Sequence, residues 1–154
     1  TMIKASDINW FWFWPNPDHG TSSISKILRR HREFGDFDRT RFIINLEPKK
    51  FIQLAINAEI MVGNSSFGIR ESSFIGLSVV NLGKRQSGRE VSENVLSIMD
   101  PVTDGELWKS LKSRIGRRFS QSDLYGQGDA GERGAKILLS WNAKTKLKSS
   151  VPLK

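Results

Sequence analysis

Apolar residues along this chain fall in short runs separated by polar turns, and the runs alternate between two spacings. Residues 8–14 (INWFWFW) put large apolar side chains at consecutive positions, which predicts a strand buried on both faces, as in a parallel sheet. Pro15 and Pro17 then forbid further ladder pairing. Thr21, Ser22 and Ser23 offer capping hydroxyls to a helix with Ile24, Ile27, Leu28 and His31 on one face. Residues 41–46 (RFIINL) predict a second strand, and Pro48 opens a helix containing Phe51, Ile52 and Ala55. Residues 59–63, 77–82 and 95–99 read as three further strands, with a helix over 69–75 after the turn at 64–68. Residues 104–118 predict an amphipathic helix and 132–141 a last one, joined by a glycine-containing loop.

Strand and helix thus alternate through short connections, the pattern of parallel βαβ units with right-handed crossovers. The predicted fold is α/β, a three-layer Rossmann-like parallel sheet over residues 1–141, followed by a basic, disordered tail at 142–154.

Composition narrows the chemistry. At 154 residues with 38% hydrophobic and 26% charged side chains, one globular domain with a real core is expected. There is no cysteine, so disulfides and thiolate chemistry are excluded, and His19 and His31 alone make a zinc site a poor expectation. No apolar run reaches a membrane span and no targeting signal is apparent, so the cytoplasm is the expected location. A strand-like segment within ten residues of the start is what a fragment would show. The net charge of +8 divides between the tail, where Lys144, Lys146, Lys148 and Lys154 meet no acid, and residues 20–50. Lysine tails are often only solubilising, so nucleic-acid binding is a minor expectation.

Ligands of open parallel sheets sit beyond the carboxyl ends of the strands. Three polar clusters fall there: 16–18 (Asn-Pro-Asp), 63–66 (Gly-Asn-Ser-Ser) and 83–86 (Gly-Lys-Arg-Gln). Ser65 and Ser66 lie between a strand and a helix start, where hydroxyls and free N–H groups together hold phosphates. Gly68 permits close backbone approach, and Glu71, a turn further on, can accept two ribose hydroxyls. The competing reading makes Ser65 a helix cap and Glu71 part of a capping box, and the two stand about even. Arg85 suits phosphate oxygens or is simply solvated, while Asn16 and Asp18 read a ligand or form an Asx turn. Arg89, Glu90, Glu93 and Asn94 are expected to form a polar network ordering their loop. The aromatic run at 10–14 reads as core in preference to a nucleic-acid platform, and His19, without an orienting partner in view, reads as a loop residue.

With those residues in hand, the stretch 63–96 (GNSSFGIRESSFIGLSVVNLGKRQSGREVSENVL) resembles the hydrolysing UDP-N-acetylglucosamine 2-epimerases of sialic-acid-type pathways. The shared pattern is long: GNSSxGxRE, then VxNxGxRQxGRExxENV. Upstream, WPNPDHG is similar to that family's FPNxDxG turn, and downstream LYGQGDAGERGAKIL resembles its YGxGxAxxRI ending. The resemblance covers the chain to about Trp141 and corresponds to the carboxyl-terminal half of a two-domain glycosyltransferase-B architecture.

It implies that Ser65 and Ser66 contact the diphosphate of UDP, Glu71 the ribose and Arg85 the phosphate region, with Gly68 and Asn16 beside them. Asp18, Gln86, Arg89 and Asn94 would face the cleft or support it, and Lys26 and Arg29 match a region where vertebrate relatives bind a CMP-sialic acid feedback inhibitor. The implied reaction is elimination of UDP and hydration to N-acetylmannosamine, or return of UDP in the non-hydrolysing variant. No metal or nicotinamide is implied. The catalytic acid, base and histidine are implied to lie in an amino-terminal half outside these residues, leaving this chain inactive by itself, and the parent is implied to form homo-oligomers. Two other functions share the pattern: a glycosyltransferase half-domain, because this fold class hosts both activities, and a non-enzymatic basic nucleic-acid binder.

Overall fold

The structure, a computed structural model, describes residues 7–15, 21–33 and 39–141. In chain order it runs β1 (Trp10–Phe13), α1 (Thr21–Glu33), β2 (Thr40–Ile43), α2 (Pro48–Asn57), β3 (Met61–Gly63), a 3-10 turn (Ser66–Gly68), α3 (Glu71–Ile75), β4 (Val79–Leu82), β5 (Val95–Ile98), α4 (Asp104–Lys112) and α5 (Ala130–Ser140). All pairings between named strands are parallel, and helices follow β1, β2 and β3 while a loop joins β4 to β5, in keeping with a Rossmann-like α/β fold. The strands form two part-sheets, β1-β2 and β3-β4-β5, with no ladder joining them among the described residues.

Side-chain alternation puts helices on both faces of the first pair. Trp12 lies in register with Phe42, and Arg32 of α1 stands 5.8 Å from the Phe42 ring centroid. The next register position, Phe13, turns to the opposite face and meets Phe51 of α2, ring centroids 5.3 Å apart. Burial of β1 on both faces is not what the structure shows: Phe11 is 48% exposed and the rest of the strand half-buried. Among the described residues β1 pairs with β2 alone.

The core lies instead around β4, where Ile69, Leu77, Val79, Val80 and Leu111 are almost wholly buried. Gly68 is packed against this sheet. A Cβ there would come within 3.2 Å of Val79 Cγ1 and 3.5 Å of Met61 Sδ, so the missing side chain lets the 3-10 turn settle on β3 and β4.

Two predicted helices are shorter than expected. The segment after residue 65 is a three-residue 3-10 turn followed by the five-residue α3, not one helix. The helix predicted over 104–118 ends at Lys112, and Gly116, at φ +73°, carries the chain out of it. The start of α4 is a full capping box. Thr103 accepts from the Glu106 N–H, and its backbone and hydroxyl donors hold the Glu106 carboxyl below the usual carboxylate range. Freed from the helix, Arg118 bridges antiparallel to Leu77 and donates to Ile56 O and Ala58 O, 2.7 Å each, closing the carboxyl end of α2.

Gly76 ends α3 at φ +70°, and a Cβ on it would overlap the carbonyl oxygen of Phe119. Gly76→Ala should therefore destabilise the chain by about 2 kcal/mol or more, combining left-handed strain with backbone overlap. Gly105→Ala, in α4 with open space around it, should be neutral or stabilise by about 0.5 kcal/mol. Urea unfolding of the two variants checks the opposite signs.

Candidate functional site

Because β3 and β4 are adjacent and parallel, with Gly63 opposite Asn81, the loops leaving their carboxyl ends emerge side by side. These loops are two of the three clusters named from sequence. Gln86, 6% exposed, fastens them: its Nε2 donates to the carbonyl of Asn64 across 2.8 Å. The third loop end belongs to β5, where Asp100 holds the Lys84 ammonium at 3.0 Å. Asn16 and Asp18 lie outside the described residues, as does His19.

Ser65, Ser66, Arg85 and Glu71 are all exposed around this tether. Ser65 caps the 3-10 turn, its Oγ accepting from the Phe67 N–H at 3.4 Å. It does so without Glu71, which opens α3 and takes no part in a capping box with it. Capping and ligand contact are thus compatible for Ser65, whose hydroxyl hydrogen is not used in the cap. The amides of Ser65 and Ser66 have no backbone partner among the described residues. A three-residue turn carries little macrodipole, so positive charge offered to a ligand here has to come from side chains. Those are the Arg85 guanidinium, at the tip of the 84–87 turn, and Lys84 beside it.

Behind the exposed groups stands a buried clamp. Asn94, 2% exposed, donates through Nδ2 to Ser72 Oγ (3.0 Å) and to Leu77 O (2.8 Å), while its backbone carbonyl accepts from the Val79 N–H at 2.8 Å. Ser72 Oγ in turn donates to Gly68 O at 2.7 Å. One carboxamide therefore joins α3, the entry to β4 and the loop that carries Arg85 and Gln86.

The expected network of Arg89, Glu90, Glu93 and Asn94 exists in a different form. Side chains of Arg89, Glu90 and Glu93 are exposed, and the loop is anchored through its backbone. Tyr125 donates its hydroxyl to Glu90 O, and Arg114 reaches Glu93 O at 3.2 Å. Burial pushes the Arg114 guanidinium pKa down, with the Arg117 charge adding to it, and the Phe119 ring stacks 4.7 Å from its centre. Arg70 lies over the Tyr125 ring at 5.7 Å, and Ser92 bonds Ser122 at 2.9 Å. Residues 119–125 thus form a third wall that the sequence presented only as loop. Tyr125, the one aromatic in a Gly-rich segment, was the available signal.

Lys26 and Arg29 are exposed on α1, in the other part-sheet, and no contact brings them to these loops. A groove of roughly 820 Å³ lies there too, lined by Trp10, Trp14, Arg32, Arg39, Arg41 and Phe42 among others. Arg39 is engaged by Asp7 at 3.8 Å and Arg32 by Phe42. Among the described residues no group of three or more His, Asp or Glu is placed to hold a metal ion, and no helix is long and apolar enough to cross a membrane.

Residues 1–139 match the family described as UDP-N-acetylglucosamine 2-epimerase. The chain is 34% identical over 125 residues to the UDP-N,N'-diacetylbacillosamine 2-epimerase (hydrolyzing) of Legionella pneumophila, covering 80% of this chain and 32% of that protein. It is 31% identical over 153 residues to the UDP-N-acetylglucosamine 2-epimerase of Neisseria meningitidis, covering 91% and 37%. A GDP/UDP-N,N'-diacetylbacillosamine 2-epimerase (hydrolyzing) of Campylobacter jejuni is 33% identical over 81 residues, 53% of this chain and 21% of that one. The chain thus spans about a third of the length of the first two relatives.

Asn94→Ala should cost about 2–3 kcal/mol, because it strands the Leu77 carbonyl in a dry site. Gln86→Ala should cost only about 1 kcal/mol globally but free the 64–68 loop. Urea titration gives the first pair of numbers, and amide exchange at Ser65 and Ser66 reports the second effect.

Proposed function

Since this chain belongs to the UDP-N-acetylglucosamine 2-epimerase family, we propose that it grips the nucleotide of a UDP-linked N-acetylated amino sugar for an epimerase of the hydrolysing kind. The observation that carries this reading is the Gln86–Asn64 tether, which joins the loop bearing Ser65 and Ser66 to the loop bearing Arg85 at adjacent strand ends. In this reading Ser65 and Ser66 take the diphosphate through hydroxyl and N–H groups, and Arg85 forks onto its oxygens. Glu71 accepts the ribose hydroxyls, and Gly68 keeps the turn low against the sheet so that the pentose can approach. Gln86, Arg89 and Asn94 position the loops.

The chemistry this grip serves is elimination. A base takes the proton from C2 of the sugar, the C1–O bond breaks, and its electron pair leaves on the β-phosphate of UDP, giving a 1,2-unsaturated sugar. Water then adds its hydroxyl at C1 and a proton at C2 on the opposite face, releasing the 2-epimer and free UDP. Negative charge grows on the departing phosphate oxygen as the bond breaks, so donors fixed there stabilise the transition state more than the bound sugar nucleotide. Acid and base come from polypeptide outside these residues, and the chain by itself binds without turning over.

Calorimetry with UDP tests the grip. Arg85→Ala, or the double change of Ser65 and Ser66 to Ala, should weaken binding about tenfold or more, the scale of one lost charge-assisted hydrogen bond. Lys136→Ala, on α5 and paired to Glu132, should leave it unchanged. Equal affinity across all of these proteins would refute the assignment.

A further inference from the structure

The turn that carries Arg85 is held from both neighbouring strands. As the chain leaves β4, the Gly83 N–H donates to Ile98 O at 2.8 Å, and the turn closes with the Ser87 N–H on Lys84 O at 3.0 Å. Gln86 reaches Asn64 on the β3 side. On the β5 side Ser87 Oγ donates to Met99 Sδ at 3.4 Å, and Lys84 Nζ meets Asp100 Oδ1 at 3.0 Å. The Lys84–Asp100 pair is the charged tie of this set. When it opens, the turn keeps its neutral bonds to Ile98, Asn64 and Met99.

That pair is built to open. Its side chains are 69% and 79% exposed, and ion pairs so open to water hold weakly. Among the described residues neither group has another ionic partner. The lysine ammonium rides on a flexible four-carbon stem with rotatable donors, so it changes partner without moving the backbone. Arg85 is the next residue of the same turn, so both cations lie at the carboxyl end of β4. A carboxylate carries one negative charge and the diphosphate of a nucleotide sugar carries two, which favours the second partner.

We propose that Lys84 is a further ligand of the diphosphate, and that Asp100 holds its ammonium until the nucleotide takes it over. This role rests on the binding of UDP by Ser65, Ser66 and Arg85. The exchange suits an elimination. As the C1–O bond breaks, the departing UDP gains negative charge and pulls harder on Lys84, while the pull of Asp100 stays the same. Lys84 therefore stabilises the transition state more than the bound sugar nucleotide. Asp100 then recovers the ammonium as UDP leaves, which opposes retention of a product more highly charged than the substrate.

Calorimetry with UDP and with UDP-N-acetylglucosamine tests the exchange, at low ionic strength where exposed charges are least screened. Asp100→Asn keeps an oxygen that accepts from Lys84 and removes only the charge, so it should tighten UDP about threefold. Lys84→Met should weaken UDP about fivefold, and UDP-N-acetylglucosamine less, because its diphosphate carries less charge. In the Lys84→Met background, Asp100→Asn should lose most of its effect. Tightening that is equally large there is plain relief of repulsion between carboxylate and phosphate, and overturns the role of Lys84. Weaker UDP binding by Asp100→Asn makes the pair a loop brace and nothing more, which also overturns it. Binding that needs Arg85 but ignores Lys84 and Asp100 removes this role and leaves the nucleotide grip standing. Binding that fails altogether, or ignores Arg85 too, removes both.

Discussion

A buried carboxamide, that of Asn94, ties together most of what positions the site. Its two N–H bonds run to a helix hydroxyl and to the carbonyl just before β4, and the backbone carbonyl of the same residue receives the amide that starts β4. In a dry interior these bonds are costly to leave unmade, so they fix the order of events in space: α3 sits where Ser72 can reach, and the 83–94 loop must return to the amino end of β5. The exposed residues inherit that precision. Arg85 stands on a turn whose neighbour Gln86 is buried and tethered, and Ser65 sits on a turn pinned by Gly68 against Met61 and Val79.

This division of labour accounts for the polarity of the 63–96 stretch. Buried amides and small hydroxyls, Ser72, Ser73, Asn81, Gln86 and Asn94, hold loops to strands, while charged groups stay in solvent. Lys84 fixes a loop: its ammonium is paired with Asp100 at the end of the next strand, which offsets most of its charge.

Much of this was legible in the sequence. Element order, the parallel alternation and the meeting of the 63–66 and 83–86 clusters follow from apolar periods and from the rule that parallel strands end on one side. The family pattern spans the same residues. What escaped has physical reasons. The consecutive aromatics at 10–14 look like an inner strand because their composition is that of an inner strand, yet among the described residues β1 pairs with β2 alone and Phe11 is exposed. Periodicity ran on through 113–118 because apolar Ile115 keeps the spacing, whereas Gly116 and the pull of Arg118 toward α2 decide otherwise. Cap and ligand contact read as alternatives for Ser65 from sequence, although a hydroxyl accepts in one direction and donates in another. Anchoring of the 88–94 loop through carbonyls was invisible, since carbonyls belong to every residue and mark none.

The bond between Arg118 and the last carbonyls of α2 joins positions 62 and 60 apart in sequence. During synthesis the ribosome makes α2 long before it makes its closing guanidinium. Until residue 118 clears the exit tunnel, the final turn of that helix has only water for those oxygens, and Gly76 has no Phe119 to seat against. The closing contacts of α2 and α3 thus form only once the stretch past α4 is free to fold back on them.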